Sequence, residues 1–300
     1  MRLKIITWCA GSLAISILFF RELGLKLLQW LSLDGLQQHG VFHWGVLGLC
    51  ILWLWLKRKD LLSKIQSAGF SYSFIIAGIV LILVSILLPR SDDFLVFLML
   101  LGWLGVFTVI FTRAAVLPSA LLGIYGFSVL FPVLVDRWIG GSSALLVAGI
   151  VAGLTRIFGL PVTNEGIMIR LTDVNGDAVS TAIIPGCAGY ATIGVFIALF
   201  ALMMLDVKLP FKKAWYVFLI GLAGTWLQNI IRVSASIIAG YYWGINGLEA
   251  MHYNAAYVIF PLWYALFVYI YLRQSGRSLK TVREKEKLPV TETPEETYRE

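Results

Sequence analysis

The chain has 300 residues, of which 59% are hydrophobic and only 14% charged, and its formal net charge is +7. Soluble domains are about 45–50% apolar and about 25% charged, so this composition excludes a soluble globular protein and predicts an all-α polytopic membrane protein. The basic residues lie between and after the apolar runs, as the positive-inside rule describes, so the charge does not indicate a nucleic-acid partner.

Nine apolar runs are each near the length that crosses roughly 30 Å of hydrocarbon as a helix. They lie at 5–20, 41–56, 70–88, 94–111, 115–135, 142–159, 187–205, 213–240 and 255–272. Nine crossings would place Lys208, Lys212 and the basic residues after 272 outside, against the orientation rule. The run at 142–159 is short and glycine-rich, so we predict an interfacial helix there. About eight transmembrane helices remain, with both termini in the cytoplasm.

Residues 1–272 are predicted to form a single integral membrane domain. The first run follows basic residues, as in a signal peptide, but no small-x-small cleavage site comes after it, so we expect a retained span. Residues 273–300 are charged and rich in Pro, Thr and Glu, which predicts a disordered cytoplasmic tail.

The stretch that leads into Cys187 predicts a small β-hairpin. Residues 166–173 and 178–184 are rich in apolar and β-branched side chains and flank Asn175-Gly176-Asp177. Asn-Gly between two such runs is a strong hairpin signal. In the eight-span topology the interfacial helix and hairpin, about 136–186, lie on the outer face. Glu165 and Arg170 are candidates there for substrate contact.

Three reactive side chains, Cys187, Arg232 and His252, are predicted to lie at the outer boundary of the membrane. Cys187 is 21 residues from Lys208, and Arg232 is 19 residues from Lys213. These separations correspond to about 32 Å and about 28 Å of helix, and both basic ends are cytoplasmic. His252 directly precedes the last apolar run, which ends inside. The helices of 187–272 would therefore bring all three side chains to one depth.

The three residue types suit thiol chemistry. Pro185-Gly186 predicts a helix start at Cys187, where the pKa of a thiol is lowered. Arg232 offers a fixed fork of donors for a carboxylate or an oxyanion, and Asn229, one turn earlier, could orient it. His252 can act as a base toward the thiol and as an acid toward a leaving amine.

Each residue alone also fits a simpler role. Cys187 could be a packing residue, Arg232 an anchor for lipid phosphate, and His252 a solvated loop residue. Tyr190, about one turn after Cys187, fits either the lining of a site or an interfacial anchor. The other cysteines, Cys9 and Cys50, lie inside apolar runs, and the spacing of the three predicts neither a disulfide framework nor a metal site. We expect no cofactor.

The ordered segments Pro185-Gly186-Cys187-Ala188-Gly189, Asn229-Ile230-Ile231-Arg232-Val233 and His252-Tyr253-Asn254 resemble the exosortase/archaeosortase family over roughly residues 70–272. The resemblance implies a cysteine transpeptidase of the cell membrane that sorts secreted proteins. Their C-terminal tails would carry a short Pro- or Gly-containing motif, a transmembrane helix and a basic end. The acceptor would be a lipid or a glycan at the cell surface.

By this resemblance Cys187 is the nucleophile, Arg232 the electrostatic stabiliser and His252 the acid/base. Either Arg232 or His252 could be the cationic partner of the thiolate. The family often has Ser or Thr after the cysteine, whereas this chain has Ala188. The third position is His in the exosortase branch and often Arg in the archaeal branch, so His252 favours the former.

Two other functions stay open on the residues alone. The chain could be a transporter or flippase of lipid-linked sugars in which Arg232 binds phosphate, or a non-catalytic assembly subunit. The sequence has no inverted repeat of the kind found in many transporters, which counts against the first of these.

Overall fold

The computed structural model describes residues 2–23, 26, 41–67, 69–89 and 92–286, and these are mostly helical. The helices are α1 (Arg2–Phe19), α2 (Val41–Leu56), α3 (Arg58–Gln66), α4 (Tyr72–Leu87), α5 (Asp92–Phe111), α6 (Val116–Ile157), α7 (Tyr190–Asp206) and α8 (Phe211–Glu286). Single 3-10 turns, Thr112–Ala115 and Pro185–Ala188, precede α6 and α7. Three strands lie between α6 and α7: β1 (Thr163–Glu165), β2 (Met168–Thr172) and β3 (Ala178–Ala182).

The apolar runs of the sequence lie on these helices, as expected of a helical membrane protein. Within the described residues, three helical stretches are long and apolar enough to cross a membrane: Arg2–Phe19, Phe94–Ile157 and Phe211–Gly276. Shorter apolar helices cover Trp44–Leu56, Tyr72–Leu87 and Tyr190–Asp206. Because α6 and α8 each contain two of the predicted runs, the helices are fewer and longer than the runs.

Helix α6 is continuous over 42 residues, whereas the sequence predicted a separate interfacial helix at 142–159. At 1.5 Å per residue its length is about 63 Å, twice the thickness of the hydrocarbon layer. Its glycines do not break it. A Cβ at Gly140 would collide with the carboxylate of Asp136 and would lie 3.2 Å from Pro185. Gly140 therefore permits close packing against the turn that holds the thiol.

Helix α8 is made of two limbs, residues 211–242 and 245–286, which run in opposite directions. Trp243 (φ −128°, ψ 15°) and Gly244 (φ 65°, ψ −161°) interrupt the helix between them. The Gly244 conformation is one that residues with a Cβ rarely adopt, so glycine is needed at the reversal. The second limb includes the start of the predicted tail, and residues 287–300 lie outside the described residues.

Small residues let the two limbs of α8 pack closely. A Cβ at Gly224 would collide with the ring of Trp263, and the Trp263 Nε1–H donates to Thr225 Oγ1 at 3.0 Å. Nearer the reversal, a Cβ at Gly240 would lie 3.2 Å from Leu248. These contacts fix which residues of the two limbs face each other.

The sheet has the strand order β1-β2-β3, and both pairings are antiparallel. In the β2–β3 pair, Met168 lies opposite Ala182 and Thr172 lies opposite Ala178. The sequence predicted two strands, and β1 is the addition. Thr163–Glu165 is too short and too polar to show the alternation that identifies a strand.

The sheet is attached to α6 and to the first limb of α8. The Asp173 carboxylate accepts the Asp177 N–H at 2.8 Å and closes the β2–β3 turn, while the Val174 N–H donates to the Tyr241 carbonyl at 3.0 Å. One face of the sheet contributes residues such as Ile169 to a buried cluster that includes Val151 of α6. The turn therefore lies at the reversal end of α8, and β3 runs from there toward the rest of the helical bundle.

Candidate active site

Cys187 lies in the single 3-10 turn Pro185–Ala188, between β3 and α7. Its N–H donates to the Ile184 carbonyl at 2.8 Å. Gly189 follows with φ 92°, a left-handed conformation that ends the turn before α7 begins at Tyr190. The thiol is therefore carried by its own turn, whereas the sequence predicted that it starts the following helix.

Asn229 on the first limb of α8 holds this turn. Its Nδ2 donates to the Cys187 carbonyl at 2.8 Å, and its side chain is fully buried. A Cβ at Gly189 would lie 3.0 Å from both Cγ and Nδ2 of Asn229, so the amide lies directly against the turn. The sequence suggested that Asn229 orients Arg232, but its hydrogen bond goes to the backbone of Cys187.

Cys187 and His252 line one narrow cleft, which we call the Cys187 cleft. Residues 181–183, Val233, Ser236, Ile237 and Leu248 complete its lining. Strand β3, the first limb of α8 and the second limb, with His252, each contribute residues to this lining. The volume is about 20 Å³, and a single water needs about 10–15 Å³. A peptide could enter only if the walls moved apart.

Arg232 lies on the first limb of α8, beside the cleft residue Val233, and is half-buried. Its guanidinium carbon is 5.4 Å from the centroid of the buried Phe260 ring, which is within cation–π range. Its Nε has no hydrogen-bond partner among the residues that the structure describes. The guanidinium therefore keeps a donor that a bound group could use.

The thiol is influenced by burial and by Arg232 in opposite directions. Burial raises the pKa of Cys187 above its ordinary value, while the positive charge of Arg232 and a hydrogen bond between the thiol and the Ile184 backbone lower it. Burial is the largest of these effects, so the pKa is raised overall, and the sequence prediction of a lowered pKa is wrong. The resting thiol is protonated at neutral pH and needs a base before it can attack. His252 lines the same cleft and can serve as that base.

Three of the other residues singled out in the sequence do not line the cleft. Tyr190 is buried in the cluster that contains Ala188 and Ile230, and its hydroxyl has no partner within the described part of the chain. Glu165 and Arg170 form an exposed ion pair of 3.0 Å between β1 and β2, and neither lines the cleft, although Arg170 lies opposite Ser180 of β3.

The family model of transmembrane exosortases matches residues 30–269 of the chain. The chain belongs to this family. No curated protein and no solved structure matches it. The match covers all three segments on which the resemblance was based, and the family resemblance is confirmed.

Among the residues of the exosortase's cleft that sequence reasoning missed are Ser236 and Leu248. Ser236 lies one turn after Arg232, and its Oγ donates to the Arg232 carbonyl at 3.1 Å. Leu248 is buried one turn before His252. Their spacing of four residues from Arg232 and His252 places each on the same helical face as its partner, and this signal could have identified both.

Proposed function

We propose that this exosortase is a cysteine transpeptidase that cleaves the C-terminal sorting tail of secreted proteins and transfers them to a surface acceptor. The supporting observation is that Cys187 and His252 line one cleft, with Arg232 near enough to influence the thiol. A thiol, an imidazole and a guanidinium supply a nucleophile, an acid/base and a stabiliser of negative charge.

In the proposed reaction, His252 takes the proton from Sγ of Cys187 as the sulfur attacks the carbonyl carbon of the scissile peptide bond. Arg232 stabilises the negative charge that develops on the carbonyl oxygen. The protonated His252 then gives its proton to the leaving amine as the C–N bond breaks, and a thioester on Cys187 remains. A nucleophile of the acceptor then attacks the thioester carbon while His252 takes its proton, and the C–S bond breaks as His252 returns that proton to the sulfur of Cys187.

We further propose eight crossings, with both termini in the cytoplasm and the site at the outer face of the cell membrane. Asn229 contacts the Cys187 turn 18 residues after α8 begins at Phe211, a rise of about 27 Å. That length nearly spans the hydrocarbon, so the end of the first limb, the distal half of α6 and the sheet would lie beyond it. Lys208 and Lys212 would then be cytoplasmic, as the orientation rule requires.

The test uses a secreted reporter whose tail has a Pro- or Gly-containing motif, an apolar helix and a basic end. Co-expressed with the native exosortase, the reporter should be cleaved at the motif, which is read as a size shift. Cys187→Ala should abolish cleavage while the protein still inserts into the membrane. Cys9→Ala, which changes an exposed cysteine of α1, is the matched control and should cleave normally.

Arg232→Lys separates the competing roles of the guanidinium. Lysine keeps the charge but offers only a point donor, so cleavage should be lost if a forked contact is needed. Full cleavage by Cys187→Ala would refute the transpeptidase. Loss of reporter cleavage with Arg232→Lys but not with Cys187→Ala would instead favour phosphate binding by a transporter. If neither substitution changed cleavage, an assembly subunit would be favoured.

A further inference from the structure

The strand β3 is an edge of the sheet, and half of its backbone groups point away from β2. The Ile183 N–H donates to the Ile167 carbonyl, and the Asp173 N–H donates to the Asp177 carbonyl. Hydrogen-bonded pairs alternate along an antiparallel ladder, so those of β3 fall on its odd-numbered residues. The N–H and C=O groups of Ser180 and Ala182 are therefore directed outward.

These outward groups have no hydrogen-bond partner in the parts of the chain that the structure describes. An unpaired strand edge is a template for a further strand. Here the edge opens into the Cys187 cleft, because Ala182 lines the cleft together with Thr181 and Ile183. An extended peptide that paired with β3 would lead directly to the thiol.

We propose that the substrate residues before the scissile bond bind as a fourth strand along β3, parallel to it. This inference rests on the transpeptidase function proposed above. In that function the substrate chain runs toward the membrane, because its transmembrane helix follows the cleaved motif. The strand β3 also runs toward the bundle, from Val179 beside Gly240 to the turn at Asn229. Two chains with the same direction pair in parallel.

Parallel pairing makes specific demands on the site. A strand lies about 4.8 Å from its neighbour, and the Cys187 cleft is too narrow to hold one. Binding must therefore move Leu248 and His252 away from β3. The Ser180 N–H would donate to the carbonyl of one substrate residue, and the Ser180 C=O would accept from the N–H of the substrate residue two positions further on. The substrate would be read through its backbone, with alternate side chains facing the same side of the sheet.

Disulfide trapping tests the direction of pairing. In a Cys9→Ser, Cys187→Ala protein, Ser180→Cys or Ala182→Cys is combined with reporters that carry one cysteine at successive positions before the motif. After mild oxidation with copper–phenanthroline, crosslinks should form at alternate reporter positions. The preferred position should move two residues toward the reporter's C-terminus when the enzyme cysteine moves from 180 to 182. Thr163→Cys on β1, at the other edge, is the control and should not crosslink.

A shift in the opposite direction, crosslinks without alternation, or equal crosslinking from residue 163 would each overturn the inference. As a second measure, Ser180→Pro removes the outward N–H at a position where an edge strand tolerates proline. It should cleave the reporter about two- to twelve-fold more slowly than Ser180→Ala, the equivalent of one hydrogen bond. Equal rates would count against pairing.

The native protein separates this inference from the function on which it rests. If the native protein fails to cleave the reporter, the transpeptidase proposal fails and the strand pairing fails with it. If the native protein cleaves but neither residue 180 nor residue 182 crosslinks, only the strand pairing is refuted.

Discussion

Replacing Gly189 with alanine tests how the turn that carries the thiol is held in place. Gly189 has φ 92°, and an added Cβ would lie 3.0 Å from the Asn229 amide. That amide cannot retreat without losing its hydrogen bond to the Cys187 carbonyl. Gly186, on the other side of the thiol, is the matched control, because a Cβ there would meet only Ile184 at 4.0 Å.

The size of the effect follows from the backbone. A left-handed conformation costs a residue with a Cβ about 1–2 kcal/mol, and the contact with Asn229 adds to this. A free-energy difference of about 1.4 kcal/mol changes an equilibrium constant ten-fold. The population of the native turn should therefore fall about five- to thirty-fold relative to any competing arrangement. Gly186→Ala carries no such cost and should leave that population unchanged or raise it by up to about five-fold, because alanine restricts the unfolded chain.

The assay is the rate of reporter cleavage per amount of inserted protein, measured for Gly189→Ala and Gly186→Ala side by side. Thermal unfolding in detergent gives a second readout that does not depend on the substrate, and Gly189→Ala should have the lower Tm. The reasoning would be refuted if Gly186→Ala were as damaging as Gly189→Ala, or if Gly189→Ala matched the native protein in both measurements.

Alkylation of Cys187 by a small reagent should require a higher pH than alkylation of free cysteine. The reason is that burial raises the pKa of the thiol and so lowers the fraction of thiolate at neutral pH. A pH profile of the alkylation rate with a midpoint below that of free cysteine would contradict this. Arg232→Gln should move the pH profile further upward, since the guanidinium lowers that pKa, and an unchanged profile would show that Arg232 does not influence the thiol. Gly224→Ala should lower the free energy of unfolding by about 1–3 kcal/mol, because the new methyl group collides with Trp263. Gly153→Ala on α6, whose Cβ meets nothing within 4 Å, is its control, and equal Tm values for the two variants would exclude the proposed limb packing.

Hydropathy and family motifs predicted much of the architecture, because both depend on local sequence. Apolar runs of about 20 residues identify helices whatever their partners are, and the spacing of basic residues predicted that Cys187, Arg232 and His252 lie at one depth of the membrane. The structure places Cys187 and His252 on one cleft and Arg232 beside it. That these side chains perform catalysis stays a prediction.

What the sequence could not supply depends on contacts between distant residues. Glycine is favoured at position 189 because its φ is 92° and because an added Cβ would lie 3.0 Å from the Asn229 amide, forty residues later. Gly140 looks like a helix breaker in isolation, yet it lets α6 pass close to Pro185. The pKa of the thiol has the same origin, since burial among remote helices outweighs the local turn and the neighbouring charge.

The Cys187 turn is anchored by a residue that the ribosome adds 42 positions later, and His252 follows later still. The β2–β3 turn likewise waits for Tyr241 to accept its hydrogen bond. During synthesis the Cys187 turn and the β2–β3 turn are therefore made before the residues that hold them. The Cys187 cleft can form only after the chain has been made as far as His252, because Leu248 and His252 line it.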